Sequence, residues 1–131
     1  MPHEFLLDRN LGTRIVPEAL RGAGWNVRTL ADIYGETEGQ HVRDEEWLEY
    51  AGRQELRVLM LDKRIRYRAI ELDALVRHKV VAFCLTSGSL DGATQAQRFL
   101  DHQPRIMRVC GQGGPSMHMI SSAGMRRLDL D

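Results

Sequence analysis

Three apolar runs in this chain end in residues that can do chemistry. Glu4-Phe-Leu-Leu runs into Asp8, with Gly12 soon after. Residues 57–61 run into Asp62, and residues 80–85 run into Thr86 and Ser87. Each reads as a strand buried on both faces that delivers a polar group to the end of a sheet. Side chains just past the carboxyl ends of parallel strands converge on one crevice in an open α/β sheet. A further acidic group, Asp44-Glu-Glu46, opens a helical pattern. Several carboxylates in one crevice repel one another, and each desolvated charge is costly unless paired. A hard divalent cation such as Mg²⁺ relieves that repulsion and is held by one or two carboxylates plus water and phosphate. Such an ion lowers the pKa of bound water and stabilises charge on a phosphodiester in transit. The pattern thus permits metal-dependent phosphodiester hydrolysis.

Each of these residues also has a structural reading. Asp8 can cap the helix that follows or close a turn, and Asp44 suits an N-cap. Asp62 can be a turn residue paired with Lys63 or Arg64, and Thr86 and Ser87 can be ordinary turn residues. Arg64, Arg66 and Arg68, interleaved with Ile65 and Tyr67, form either a phosphate-contacting rim or a solvated loop paired with acids such as Glu45. Arg9 and Arg14 serve as further phosphate contacts or as counter-ions for the acids. Other motifs fail. The five histidines are dispersed and pair with no cysteine, which argues against zinc. Gly111-Gln-Gly-Gly114 lacks the Lys-Ser/Thr of a phosphate loop and reads as a turn. Ser87-Gly88 is no nucleophile elbow.

The elements around these residues must bring them together. Residues 12–24 read as a helix with Val16, Ala19, Leu20 and Ala23 inward. Residues 25–29 read as a short strand and 30–34 as a helical turn. Residues 35–40 are polar and glycine-bounded, so they read as a loop. A helix from Asp44 to about Arg53 carries Trp47, Leu48 and Ala51 as its apolar stripe. Residues 70–78 are amphipathic. Ser89 suits the N-cap of a helix to His102 with Ala93, Ala96, Phe99 and Leu100 inward. Residues 105–110 and 117–120 alternate around a glycine turn and read as an antiparallel strand addition. The strand–helix alternation predicts a mainly parallel sheet with helices on both faces.

At 131 residues the chain suits one domain with a real core. Its 18 basic and 18 acidic residues cancel, which excludes a generic nucleic-acid coat but not a local basic face. No apolar run approaches the roughly 20 residues that span a bilayer. Cys84 and Cys110 both sit in apolar, strand-like runs and no signal peptide is visible, so a cytoplasmic protein with reduced thiols is expected.

Four blocks carry a resemblance: Phe5-Leu-Leu-Asp-Arg-Asn-Leu-Gly12, Asp44-Glu-Glu-Trp-Leu-Glu-Tyr-Ala51, Val58-Leu-Met-Leu-Asp-Lys-Arg-Ile65 and Ala82-Phe-Cys-Leu-Thr-Ser-Gly88. In order and spacing they resemble a PIN-like domain, and more narrowly the short PIN-like proteins grouped with VapC toxins. The resemblance implies one domain over residues 1–131, with a core at 4–110 and a C-terminal strand extension at 104–131. It implies a three-layer α/β/α sandwich and a Mg²⁺- or Mn²⁺-dependent endoribonuclease, with RNA as substrate, a cognate antitoxin as partner and a homodimer as a common assembly. The family's acids fall on Asp8, on Asp44 (with Glu45 or Glu46 as substitutes) and on Asp62. The position that often holds a fourth acid or a hydroxyl falls on Thr86 and Ser87. Where related proteins continue the third block with a second Asp, this chain has Arg64, and Asp91 lies farther on. A weakened or inactive nuclease that still binds RNA or antitoxin is therefore the first alternative. A receiver-like phosphoacceptor is the second, against which Arg9 follows Asp8 and no lysine occurs after Lys79.

Overall fold

The structure, a computed structural model, describes residues 3–61, 69–86 and 90–130. Its centre is a six-stranded sheet. In chain order the strands are β1 (Glu4–Leu7), β2 (Asn26–Thr29), β3 (Arg57–Leu61), β4 (Val81–Leu85), β5 (Ser116–Ser121) and β6 (Gly124–Leu128), and across the sheet they run β2-β1-β3-β4-β5-β6. All neighbours are parallel except β5 and β6. The helices are α1 (Ile15–Gly22), α2 (Leu30–Tyr34), α3 (Glu36–His41), α4 (Asp44–Gln54), α5 (Ala69–Arg77), α6 (Gly92–Asp101) and α7 (Gln103–Cys110).

Two cores form because successive strand residues face opposite sides. Phe5, Leu7, Leu59, Leu61, Phe83 and Leu85 pack on one face with Val16, Leu20, Phe99 and Ile106 from α1, α6 and α7. Leu6, Val58, Met60, Ala82 and Cys84 pack on the other with Trp47, Leu48, Ala51 and Leu75 from α4 and α5. This is the expected three-layer α/β/α sandwich. The near-continuous apolar strands follow from burial on both faces.

The sheet order sets where a site can form. From β1 the chain moves outward to β2, then crosses back so that β3 lands on the other side of β1. The order therefore reverses between β1 and β3, and a crevice opens there at the carboxyl ends. Asp8 stands at that point, and the backbone N–H of Asp8 still donates to the Leu59 carbonyl at 3.0 Å.

Several sequence expectations need correction. Residues 105–110 lie in α7, not in a strand; Pro104 sits in the helix's first turn, and the burial of Ile106 and Cys110 has helical spacing. Cys110 accordingly ends a helix rather than a strand. β5 runs parallel to β4, so only β6 is the antiparallel addition. Residues 36–41 form α3 where a loop was expected, with Glu36 and Glu38 in a first turn that favours negative charge. Helix α6 is capped by Asp91, whose side chain accepts from the Thr94 amide; Ser89 lies outside the described residues. Ala93 is exposed, and Gln95 is buried in its place, donating to the Leu90 carbonyl at 2.8 Å. Ala19 and Ala23 are likewise exposed.

One glycine in α4 illustrates how tightly the second layer is packed. A Cβ on Gly52 would lie 2.4 Å from the His78 carbonyl oxygen, at the end of α5. Alanine in a helix interior ordinarily gains about 1 kcal/mol over glycine. Here the clash dominates: Gly52→Ala is expected to lower stability by about 1–3 kcal/mol, measured by urea unfolding.

Candidate active site

Asp8 is 6% exposed. Its position follows from the strand's end: the chain leaves β1 in extended backbone and enters a 3₁₀ turn, Arg9–Leu11. Asp8 Oδ1 accepts the amide of Asn10, two residues on, as short acids do in turns. Gly12 ends the turn at φ 77°, where a side chain would be strained. The other oxygen, Oδ2, accepts the backbone N–H of Leu61 at 3.1 Å. One carboxylate thus closes its own turn and ties the end of β1 to the end of β3.

These bonds do not fully offset burial. Desolvation pushes the Asp8 carboxyl up to about 7; the amides of Leu61 and Asn10 oppose the rise, Asp44's charge adds to it, and Arg9 works against it. Asp44's charge thus reaches the Asp8 carboxyl.

Asp44 is the first residue of α4, not its N-cap; Arg43 occupies the cap position without a side-chain bond. The Asp44 side chain is turned to other partners. Its Oδ1 accepts from Arg9 Nη1 at 3.1 Å and from the indole N–H of Trp47 at 2.9 Å. Arg9 also donates through Nη2 to the carbonyls of Val42 and Gly39, at 3.4 Å for the latter. Its buried Nε has no partner among the described residues. Of the two roles open to Arg9, counter-ion and phosphate contact, the geometry fills the first, and the second N–H of Nη1 remains for the other. The ion pair is part-exposed, so it contributes about 1 kcal/mol or less.

A recess of about 120 Å³ lies beside these groups, lined by Asp8, Arg9, Gly12, Thr29, Glu36 and Gly39 among others. Glu36 adds a carboxylate from the first turn of α3, a stretch that has the composition of a loop. Trp47 was read only as part of an apolar stripe. The signal for it was available: it stands three residues after Asp44, on the same helical face.

The remaining candidates divide. Glu45 pairs with Arg43 at 3.4 Å, and Glu46 is exposed. Thr86 donates from both its amide and its hydroxyl to the Ile120 carbonyl, at 3.0 and 3.3 Å. It lines a different recess, with Met119, Ser121 and Arg126, two strands away from Asp8. Asp62, Arg64, Arg66, Tyr67, Arg68 and Ser87 lie outside the described residues. Asp62 follows Leu61 directly in the chain. Among the described residues, no three of His, Cys, Asp and Glu gather closely enough to hold a metal ion. No helix among them is long and apolar enough to cross a membrane.

Comparison with known proteins gives this geometry its family. A family model described as "PIN like domain" matches residues 3–87. The chain belongs to the PIN-like domain family. The matched span holds Asp8, Asp44, Asp62 and Thr86, and β1 through β4 of the PIN-like sheet. A curated relative from Mycobacterium tuberculosis, named "Putative ribonuclease VapC45", is 27% identical over 128 residues, 98% of this chain and 92% of the relative. That likeness runs past the matched PIN-like span through α6, α7, β5 and β6. No solved structure gives a significant match.

The state of Asp8 predicts a pH dependence of folding. Its carboxyl sits near 7 in the fold and near 3.9 in an unfolded chain. A raised acid contributes stability fully below about pH 4 and loses it as pH rises through about 7. In the presence of a chelator, wild type should therefore lose stability relative to Asp8→Asn between pH 4 and pH 8. The loss should be on the order of 4 kcal/mol, read from urea unfolding at each pH. A difference that stays flat with pH means that Asp8 is already charged in the fold at low pH.

Proposed function

We propose that this protein is a metal-dependent endoribonuclease that acts as the toxin of a toxin–antitoxin pair. The observation that carries the reading is the buried Asp8 carboxylate at the reversal point of the sheet, coupled in charge to Asp44. Membership of the PIN-like family and the likeness to a relative named as a ribonuclease support it.

The donors suit a hard divalent cation. They are carboxylate oxygens, and Asp8 is held toward its neutral form by desolvation and by Asp44's charge. A dication beside Asp8 opposes both effects. Asp8 and Asp44, with Asp62, would hold Mg²⁺ or Mn²⁺. The ion, when bound, supplies a more acidic water and stabilises charge on the phosphodiester. The protein's own groups do the rest. The Leu61 and Asn10 amides fix Asp8 and leave each of its oxygens a further lone pair. Arg9 keeps Asp44 in place, and the second N–H on its Nη1 is a donor for a phosphate oxygen. Arg64, Arg66 and Arg68 would extend that contact along an RNA backbone. Asp8 sheds a proton when it takes a cation, so affinity for the ion should rise with pH up to about 7.

A second reading has its own observation. Both Asp8 oxygens accept backbone amides, and Asp44 Oδ1 is taken by Arg9 and Trp47. Acids occupied in this way also suit a domain that binds RNA or an antitoxin without cleaving.

Purified protein with Mg²⁺ or Mn²⁺ should cleave RNA, and Asp8→Asn should reduce the rate by at least 10²-fold, the scale of a lost catalytic group. Equal traces of cleavage in the two proteins, together with calorimetry showing no Asp8-dependent Mn²⁺ binding, favour the binding module.

A further inference from the structure

Asp44 is held in an uneven way. Both of its hydrogen bonds, from Arg9 Nη1 and from Trp47 Nε1, fall on Oδ1. Among the described residues none falls on Oδ2. The two donors differ in kind. Arg9 is part-exposed and stands in the turn after β1, whereas Trp47 is 1% exposed and locked in the core beneath α4. The protein's other tryptophan, Trp25, is buried too, but its indole N–H has no hydrogen-bond partner among the described residues. The bond from Trp47 is therefore not a by-product of burying an indole in this fold.

We infer that Trp47 is a positioning residue: its indole N–H, with Arg9, pins Asp44 Oδ1 so that Oδ2 stays available to a bound cation. The inference rests on the reading of Asp8 and Asp44 as cation ligands. A carboxylate on the first turn of a helix otherwise rotates freely about two side-chain bonds. Fixing one oxygen from a core side chain removes that freedom before any ion arrives. Groups that orient a metal ligand from behind typically change affinity or activity by about 10–100-fold when removed. Nothing in the sequence marks Trp47 for this role except its place three residues after Asp44, and hydrophobicity alone explains its burial.

The test uses the full chain. Mn²⁺ binding is titrated by electron paramagnetic resonance for wild type, Asp8→Asn and Trp47→Phe. Phenylalanine keeps most of the apolar bulk and removes the N–H. Trp47→Phe should weaken Mn²⁺ binding about 10–100-fold while KM for RNA stays close to wild type. A second measurement needs no stable variant at position 47. In wild type labelled with ¹⁵N, the two indole N–H signals are followed as Mg²⁺ is added; the Trp47 signal should move and the Trp25 signal should not, and the movement should vanish in Asp8→Asn. Unchanged Mn²⁺ affinity in Trp47→Phe, or a Trp47 signal that ignores Mg²⁺ while binding still depends on Asp8, overturns the inference alone. Binding that does not depend on Asp8 overturns the nuclease reading and this inference with it.

Discussion

A single carboxylate carries an unusual share of this fold. Asp8 closes the turn after β1 and reaches across to the last amide of β3. Those two strands flank the point at which the sheet's order reverses. The side chain is deeply buried, and its charge is poorly compensated. The cost is accepted at the one place in the sheet where the topology opens a crevice. Strained or underpaired groups concentrate where a protein acts rather than where it is merely stable.

Much of the surrounding architecture serves to present that acid. The strands alternate two apolar sets, and helices cover both faces, so the sheet's interior is dry. Among the described residues, Asp8 borders a small recess at the strand ends, between the first turn and α3. Helix α4 brings Asp44 to the same place, with Trp47 rooted in the opposite core and Arg9 bridging the gap. Packing and chemistry are thus joined through side chains that belong to both. Trp47 is a core residue by volume and a site residue by its single N–H.

The strands β1, β3 and β4 were legible because burial on both faces writes an unbroken apolar run, and a run that stops at a polar residue marks a sheet end; β2 alternates exposed Asn26 and Arg28 with buried Val27 and Thr29. Asp8 reads from that same end-of-run signal, whereas Asp44 reads from the acidic start of a helical pattern. The errors came where two periods coincide. Arg105-Ile-Met-Arg-Val-Cys110 alternates like a strand, yet Ile106 and Cys110 are also four apart, and the packing of α7 settled the matter. Residues 36–41 looked like a loop because glycine and charge dominate them; Gly39 is buried against the backbone of Ala31, a contact made across the chain that local pattern does not encode. Asp44 reads as a candidate metal ligand with an N-cap as its structural alternative, and its partners are an arginine 35 residues away and an indole of the core. Partner choice of this kind depends on the three-dimensional path.

The place of β1 in the sheet also orders events during synthesis. This strand is made first but sits between β2 and β3, and its ladder to β3 pairs residues about fifty positions apart. On the ribosome, then, the first strand and its acid wait with one flank open until nearly half the chain has emerged. Non-local pairing of this sort slows folding and leaves an apolar edge exposed meanwhile. A nascent fragment ending before β3 has no crevice at all, so whatever chemistry the finished molecule performs is withheld from its growing precursor.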